Sequence, residues 1–125
     1  MSRLLLLAAA AASLVTATPA LAQRLENCPQ GVSAGPVVRQ MDPQDFSRQV
    51  YFVPFANTSG RGVYYRLRLA GSVTGFQPDN GLLNNRVHML QHGQSSSFRA
   101  GTAERRPYPA AEAVGGAVVI ACLPG

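Results

Sequence analysis

The stretch GVYYRLRLA at residues 62–70 decides the fold class that we predict for this chain. Its side chains form two alternating sets, Val63, Tyr65, Leu67 and Leu69 on one side and Tyr64, Arg66 and Arg68 on the other. A strict period of two is typical of a half-buried antiparallel strand, because successive side chains point to opposite faces of a sheet. We therefore expect the first set in a core and the second on a solvent face.

Further strand signals recur along the chain, separated by segments rich in Gly, Pro, Asn and Asp. Besides residues 62–70, the predicted strands cover residues 36–40, 49–56, 86–91, 95–100 and 113–122. Short strands with turn signals between them predict an all-β fold, a small antiparallel β-sandwich of immunoglobulin-like architecture, with a small closed barrel as the alternative. Proline cannot donate to a strand ladder, so we expect Pro54 at a sheet edge or a β-bulge.

Some segments leave the choice of element open. Residues 82–92 fit either a helix that ends before Gly93 or a strand over residues 86–91, and we favour the strand because Asn84 and Asn85 weaken a helix. The predicted last strand, residues 113–122, is apolar on both faces, which indicates a central position in a sheet. Residues 23–35 and 101–112 are expected to be irregular.

The first 22 residues are predicted to be a secretory signal peptide. A cationic start at Arg3 precedes the apolar run LLLLAAAAASLV at residues 4–15, and Ala20-Leu21-Ala22 supplies a small-x-small cleavage site. The apolar run is shorter than the roughly 20 residues that span a bilayer, so we expect cleavage before Gln23 and no stable membrane anchor. Residues 23–125 then form one domain that is periplasmic or secreted.

The two cysteines, Cys28 and Cys122, lie near the two ends of the predicted mature domain. An even pair in an exported protein predicts a disulfide, whereas a redox-active pair usually has a Cys-x-x-Cys spacing. The bond would join the first and last strand regions. In the chain-entropy model, closing so long a loop stabilises the fold by about 4–5 kcal/mol.

All eleven basic residues are arginines. The abundance of Ala, Gly and Arg is typical of a GC-rich bacterial genome. Without Arg3, ten arginines and six acidic residues give the mature chain a net charge of +4. This charge is too small to predict nucleic-acid binding, but it is compatible with an acidic protein or an anionic envelope polymer as partner. The sequence does not predict an oligomeric state.

The motifs of common enzymes are missing from the sequence. No serine stands in a Gly-x-Ser-x-Gly elbow, and the six acidic residues fall in predicted loops. His88 and His92 would share a face on a helix, but on a strand their spacing places them about 13 Å apart. We therefore expect no catalytic residue, no metal site and no cofactor, and we predict that the protein is not an enzyme.

The polar face of the 62–70 strand is the candidate binding site. Tyr64, Arg66 and Arg68, with Arg86 and Arg99 on neighbouring strands, would form a basic platform with an aromatic edge. Guanidinium groups bind carboxylates and phosphates in a bidentate geometry, so the expected ligand is an acidic protein, a phosphate or an anionic glycan. Alternatively, the arginines are solvated charges that keep an exposed sheet from aggregating.

The predicted function is that of a non-enzymatic binding or structural module of the bacterial cell envelope. The alternative is a small periplasmic chaperone or assembly inhibitor that acts on acidic or strand-forming clients through the Arg66 and Arg68 face or an exposed strand edge. In architecture alone, the predicted domain resembles small immunoglobulin-like curli-assembly inhibitors. A lysozyme inhibitor fits less well, because lysozymes are usually basic and would repel a basic partner.

Overall fold

Nine β-strands and two short helices form the part of the chain that the computed structural model describes, residues 24–124. The strands are β1 (Arg24–Glu26), β2 (Val32–Ala34), β3 (Val38–Asp42), β4 (Asp45–Asn57), β5 (Val63–Leu69), β6 (Gln77–Pro78), β7 (His88–Leu90), β8 (Ser95–Ala103) and β9 (Val118–Cys122). The helices are α1 (Asn80–Leu83) and α2 (Ala111–Ala117). The predicted signal peptide, residues 1–22, and the predicted new N-terminus at Gln23 lie outside the described residues.

The strands form two sheets that share one core. Sheet 1 has the order β1-β9-β5-β7, and sheet 2 has the order β2-β4-β8-β6, with β3 also paired to β4. One hydrophobic cluster takes buried side chains from both sheets. Within it, the ring of Phe55 from sheet 2 meets the ring of Tyr65 from sheet 1 edge-on, with centroids 4.7 Å apart. The fold is therefore mostly β, as the alternating patterns predict.

β5 shows the alternation on which that prediction depends. Val63, Tyr65 and Leu67 are buried, whereas Tyr64 is 51% exposed and Arg68 is also exposed. The strand lies inside sheet 1, with β9 on one side and β7 on the other, and both neighbours are antiparallel to it. The predicted division of the strand into a core face and an outer face is confirmed.

The expectation of a purely antiparallel fold is wrong for one strand pair. β1 runs parallel to β9, whereas the other strand pairs within residues 24–124 are antiparallel. Antiparallel neighbours can be joined by a short turn, but parallel neighbours need a long crossover, and here almost the whole domain forms that connection. Residues 23–35, expected to be irregular, contain both β1 and β2, because the pairing partners β9 and β4 impose strand structure on short segments.

The predicted last strand is helical in its first half. α2 occupies Ala111–Ala117, and β9 begins only at Val118. A segment that is apolar on both faces does not distinguish a buried strand from a buried helix, and the alanines together with Glu112 in the first turn favour a helix. α2 buries Val114 and Ala117. The central position is confirmed for β9, which lies between β1 and β5.

For residues 82–92 the predicted strand is confirmed at its centre, and the helix that would end before Gly93 is not formed. The short helix α1 ends at Leu83, and β7 forms the centre of the predicted 86–91 strand. A turn at His92 and Gly93, with a positive φ of 84° at Gly93, then leads into β8. β8 continues to Ala103, three residues beyond the predicted end of that strand.

Pro54 lies on an inner strand, and the structure explains why this is tolerated. β4 pairs with β8 on one side and with both β3 and β2 on the other. Along β4, the residues paired with β3 end at Phe52 and the residues paired with β2 begin at Phe55. Pro54 lies between these two paired segments. Its carbonyl accepts the N–H of Gly35 at 3.0 Å. The N–H that proline lacks would face Gly35 as well, which lies between β2 and β3 and belongs to neither strand.

The fully buried Asn57 connects the two sheets through polar contacts. Its side-chain amide donates to the carbonyls of Arg61 and Leu90 at 2.8 and 2.9 Å, and its Oδ1 accepts the N–H of Ser59 at 2.9 Å. These bonds tie the end of β4 to the turn before β5 and to β7. A buried amide with all its groups satisfied can fix one arrangement of the surrounding loops.

Cys28 and Cys122 form a disulfide, as predicted, across 94 positions of sequence. Cys28 follows β1 and Cys122 ends β9, so the bond fastens the first strand to the last. Within residues 24–124, neither helix is long and apolar enough to cross a lipid bilayer.

Candidate functional site

The candidate residues of β5 project from the outer face of sheet 1. The strand register places Arg66 beside Ala121 of β9 and Arg68 beside Val119 of the same strand. Tyr64 precedes them on the same face, because side chains two positions apart share a side of a strand. This outer face has two halves, one above β9 and one above β7.

Arg68 belongs to the half above β9 and has a structural partner. Its Nη2 lies 2.6 Å from Oε2 of Glu26 on β1. The ion pair crosses β9 diagonally, because Glu26 stands opposite Ala121 and Arg68 opposite Val119. Val119 points to this outer face and is nevertheless fully buried. Since arginine stems can cover apolar surface while their charged ends stay in water, we assign Arg68 and Glu26 the role of covering β9.

Arg66 has no acidic partner in the described residues. It is half-buried, and within residues 24–124 no carboxylate forms an ion pair with it. Its Nε is shielded from solvent and has no hydrogen-bond partner in the same part of the chain. The small side chain of Ala121, opposite on β9, leaves space for the arginine stem to lie along the sheet.

The structure separates the two remaining candidates, Arg86 and Arg99. Arg99 lies on β8 of sheet 2, and its Nε is 2.9 Å from Oδ2 of Asp79. The expectation that it sits on a strand neighbouring β5 is wrong, since no local pattern in the sequence assigns a strand to one sheet or the other. Arg86 is exposed in the loop just before β7, which pairs with β5. It therefore stays at the edge of the candidate face.

The half above β7 carries apolar side chains that the sequence does not connect with Tyr64. Met89 of β7, 43% exposed, is the direct cross-strand neighbour of Tyr64, and Val87 is exposed just before β7. A groove of about 140 Å³ opens at Tyr64 and is lined by Pro29, Arg61, Gly62, Val63, Tyr64 and Leu123. Only the strand register brings these residues together.

We call this region the β5–β7 surface. It consists of Tyr64, Val87, Met89, Arg61, Arg66 and Arg86. Its three arginines form no ion pair with any carboxylate in the described part of the chain. Three arginines elsewhere are paired with acidic side chains: Arg48 with Asp42 and Glu104, Arg68 with Glu26, and Arg99 with Asp79. Four other arginines of residues 24–124 also form no ion pair: Arg24, Arg39, Arg105 and Arg106. The β5–β7 surface is therefore distinguished by having unpaired arginines together with the exposed apolar pair Tyr64 and Met89.

The two histidines have separate structural positions. His88 stacks on Tyr65 and meets Phe98 edge-on, with centroids 5.4 and 5.3 Å apart. Burial lowers the pKa of His88, which favours a neutral imidazole. His92 lies in the turn after β7, where its Nδ1 accepts the N–H of Gly60 at 3.0 Å. The helix that would have put both imidazoles on one face is not present at residues 88–92.

Two larger cavities lie away from the β5–β7 surface. One of about 250 Å³ is lined by Arg24, Pro36, Val37, Ala111, Glu112, Gly115 and Gly116, and one of about 350 Å³ by Gly75, Phe76, Gln77, Glu104 and Arg105. Each lining contains one carboxylate and one arginine, and neither contains His, Ser or Cys. Nucleophilic catalysis needs a nucleophile beside a base, and these linings do not supply that pair.

Comparisons of the chain with protein-family models, with curated proteins and with solved structures gave no significant match. Function is therefore inferred from the chemistry of the β5–β7 surface and from the compartment that a disulfide indicates.

Proposed function

We propose that this protein is an exported, non-enzymatic binding module of the bacterial cell envelope, and that its β5–β7 surface binds acidic segments of another protein. In this proposal the two sheets form a β-sandwich of immunoglobulin-like architecture, and residues 1–22 are removed as a signal peptide. The disulfide supports export, because such bonds persist mainly in oxidising compartments outside the cytosol.

One observation carries the proposal: the exposed cross-strand pair Tyr64 and Met89 shares a surface with three arginines that form no ion pair within residues 24–124. Aromatic residues, Met and Arg are the side chains enriched in protein interfaces. If the only role of this face were to keep the protein soluble, two exposed apolar side chains opposite each other on neighbouring strands would not be needed. Guanidinium groups supply bidentate sites for carboxylates, and the apolar pair supplies area that a partner can cover.

A titration with synthetic peptides of defined sequence tests this proposal. We expect a peptide that alternates Glu and Val to bind, poly-glutamate to bind more weakly, and the corresponding Lys–Val peptide not to bind. The order follows because the first probe offers both carboxylates and apolar side chains. Binding should weaken with added salt, since the Debye length falls from about 10 Å at 0.1 M to about 3 Å at 1 M. If poly-glutamate binds as well as the mixed peptide, the apolar pair takes no part.

Charge reversal locates the site. The double change Arg61→Glu and Arg86→Glu should lower the affinity for the Glu–Val peptide at least about tenfold, equivalent to about 1.4 kcal/mol. The matched control, Arg105→Glu with Arg106→Glu in the β8–α2 loop, alters the net charge by the same amount and should leave the affinity nearly unchanged. Equal losses in both variants would show that binding follows overall charge and not the β5–β7 surface.

A second candidate function, that of a periplasmic chaperone or assembly inhibitor, is favoured by the open edge of β7. The Tyr64 carbonyl accepts the N–H of Leu123 on the β9 side, so the backbone groups of Val63 and Tyr65 face β7. Alternation along β7 then directs the N–H and C=O of Met89 away from β5. A client strand added here would extend sheet 1 and place its side chains next to Met89 of the β5–β7 surface.

Fibril growth of a strand-forming acidic peptide, followed by thioflavin fluorescence, tests the second candidate. The native protein should delay growth at less than equimolar concentration. Met89→Pro removes the outward N–H and should abolish the delay, whereas Met89→Leu keeps it and should preserve the delay. If both variants act like the native protein, the β7 edge is not the client site.

N-terminal sequencing of the exported protein tests the compartment. We expect the sequence to begin at Gln23 and the protein to be recovered outside the cytoplasm. A chain that begins at Met1, or that is recovered only with membranes, contradicts this part of the proposal.

A further inference from the structure

The open edge of β3 lies on sheet 2 and is separate from the β5–β7 surface. β3 pairs with β4 on one side only, and with five residues it is the longest strand at a sheet edge in the described part of the chain. Two of its side chains, Val38 and Met41, are large, apolar and exposed, at 40% and 54%. Exposed, unpaired edges are the places where natural sheets add further strands.

Hydrogen bonds around β4 show which backbone groups of β3 face outward. The Pro54 carbonyl accepts the N–H of Gly35 on the β2 and β3 side, and Asn57 exchanges backbone bonds with the turn at Gly93 and Gln94 on the β8 side. Backbone groups alternate sides along a strand. Val50 and Phe52 therefore face β3, in the same direction as Pro54.

The register between β3 and β4 shows which residues of β3 bond to β4. Gln40 stands opposite Val50 and Val38 opposite Phe52, so these two residues of β3 bond to β4. The N–H and C=O groups of Arg39 and Met41 then point to the open edge. The backbone hydrogen bonds of residues 24–124 outside the strand ladders include none made by these four groups.

We propose that β3 pairs antiparallel with β3 of a second copy of this chain, with Gln40 at the two-fold axis. In this register Arg39 of each copy stands opposite Met41 of the other, so all four outward backbone groups find partners. The two copies of sheet 2 become one continuous sheet. Pairing partly covers the exposed Val38 and Met41 side chains.

Charge and backbone chemistry favour this register over those centred on the two neighbouring residues or between residues. Centring on Arg39 would place two arginines directly opposite each other, which destabilises a strand pair. Centring on Met41 would place Arg39 opposite Pro43, which has no N–H to donate. In a register centred between two residues, the outward backbone N–H and C=O groups of one copy would stand opposite residues whose backbone groups already face β4, so they would find no partner. The centre at Gln40 has none of these defects, and such a self-complementary contact closes as a dimer.

Single cysteines give a test that is specific for this register. Cys28 and Cys122 are bonded to each other, so an introduced cysteine is the only free thiol. Directly opposed residues have Cβ atoms about 4.5–5.5 Å apart, so Gln40→Cys should form an intermolecular disulfide under mild oxidation. In the control Val38→Cys, the two thiols would be four residues out of register, about 13 Å apart, and its cross-linking should be at least about tenfold slower because disulfides require close approach.

The native chain and an edge variant complete the test. Analytical ultracentrifugation of the native protein should show a mass that rises with concentration towards that of a dimer. Met41→Pro removes one outward N–H without touching the β4 ladder, and it should leave the melting curve nearly intact while reducing self-association. A native protein that stays monomeric at all concentrations, or equal cross-linking of Gln40→Cys and Val38→Cys, overturns the proposal. A foreign strand that binds this edge while the chain remains monomeric also overturns it.

Discussion

At the scale of single residues, neighbouring positions in β5 alternate between the buried core and the outer face of sheet 1. Leu67 is 1% exposed within the shared core, whereas Arg66 and Arg68 on either side of it lie on the outer face. This division follows from strand geometry, in which successive side chains point to opposite faces. The loss of stability caused by a substitution in β5 therefore depends on whether the side chain points to the core or to the outer face.

Leu67→Ala should lower the free energy of unfolding by about 2–5 kcal/mol, as expected for a truncated core side chain. Arg66→Ala should change it by less than about 0.5 kcal/mol, because the half-buried guanidinium forms no ion pair within residues 24–124 that the substitution could break. Urea unfolding monitored by circular dichroism measures both values. If Arg66→Ala proves the more damaging change, the assignment of the two faces is wrong.

Asn57→Ala should lower the free energy of unfolding by about 1–3 kcal/mol, because it leaves buried polar groups without partners. The affected groups are the carbonyls of Arg61 and Leu90 and the N–H of Ser59. Asn84→Ala is the matched control, since Asn84 makes its side-chain bond to the Arg86 N–H at an exposed site. Equal effects of the two changes would contradict a structural role for Asn57.

At the scale of elements, β7 connects the stability of the fold to the candidate surface. Its outward side chain, Met89, pairs with Tyr64. Its inward side chain, His88, stacks on Tyr65 of sheet 1 and meets Phe98 of sheet 2 edge-on. A change in the charge of His88 therefore acts on the contact between the sheets and on the strand that supports the β5–β7 surface.

The free energy of unfolding should decrease as the pH falls from about 7 to about 5. Burial, with Arg86 as a smaller cause, lowers the pKa of His88 in the folded state, whereas an unfolded histidine has a pKa of about 6.5. The unfolded chain therefore takes up more protons below that pH, and the stabilising contribution, complete above it, is progressively lost. His88→Phe keeps a ring in the stack and should flatten this dependence.

Urea titrations at pH 7, 6 and 5 measure the effect. Asn84→Ala, which removes no titratable group, is the control and should keep the pH dependence of the native protein. The lowered pKa values of Asp42 and Asp45, caused by hydrogen bonds from Gln44, Arg48 and Ser47, act in a lower range, because an unfolded Asp titrates near about pH 3.9. If His88→Phe retains the full slope between pH 7 and pH 5, another group is responsible.

At the scale of the whole molecule, the disulfide and the parallel β1–β9 pair hold the ends of the described domain together. β1 has three residues and contacts β9 along one edge, so it contributes few ladder bonds of its own. The covalent link between Cys28 and Cys122 compensates for this short pairing by restricting the unfolded chain.

The double change Cys28→Ala and Cys122→Ala should lower the free energy of unfolding by about 2–5 kcal/mol. Thermal melting of the native and altered proteins under identical conditions measures the difference. Titration of two free thiols in the native, exported protein would show that the bond is absent there and would remove the basis of this prediction.

Local sequence patterns determined the strands whose side chains alternate strictly, the pairing of two isolated cysteines and the outward direction of Tyr64, Arg66 and Arg68. These features depend on covalent geometry and on burial of one strand face, and both can be predicted from a short stretch of sequence. The tertiary structure alone decided that β1 runs parallel to β9, that Arg99 lies on the other sheet, and that Met89 pairs with Tyr64. It also decided that the helix of residues 111–117 ends where β9 begins at Val118, because a segment that is apolar on both faces does not by itself distinguish a helix from a strand. Strand order and register depend on contacts between residues far apart in sequence, and no local periodicity encodes them.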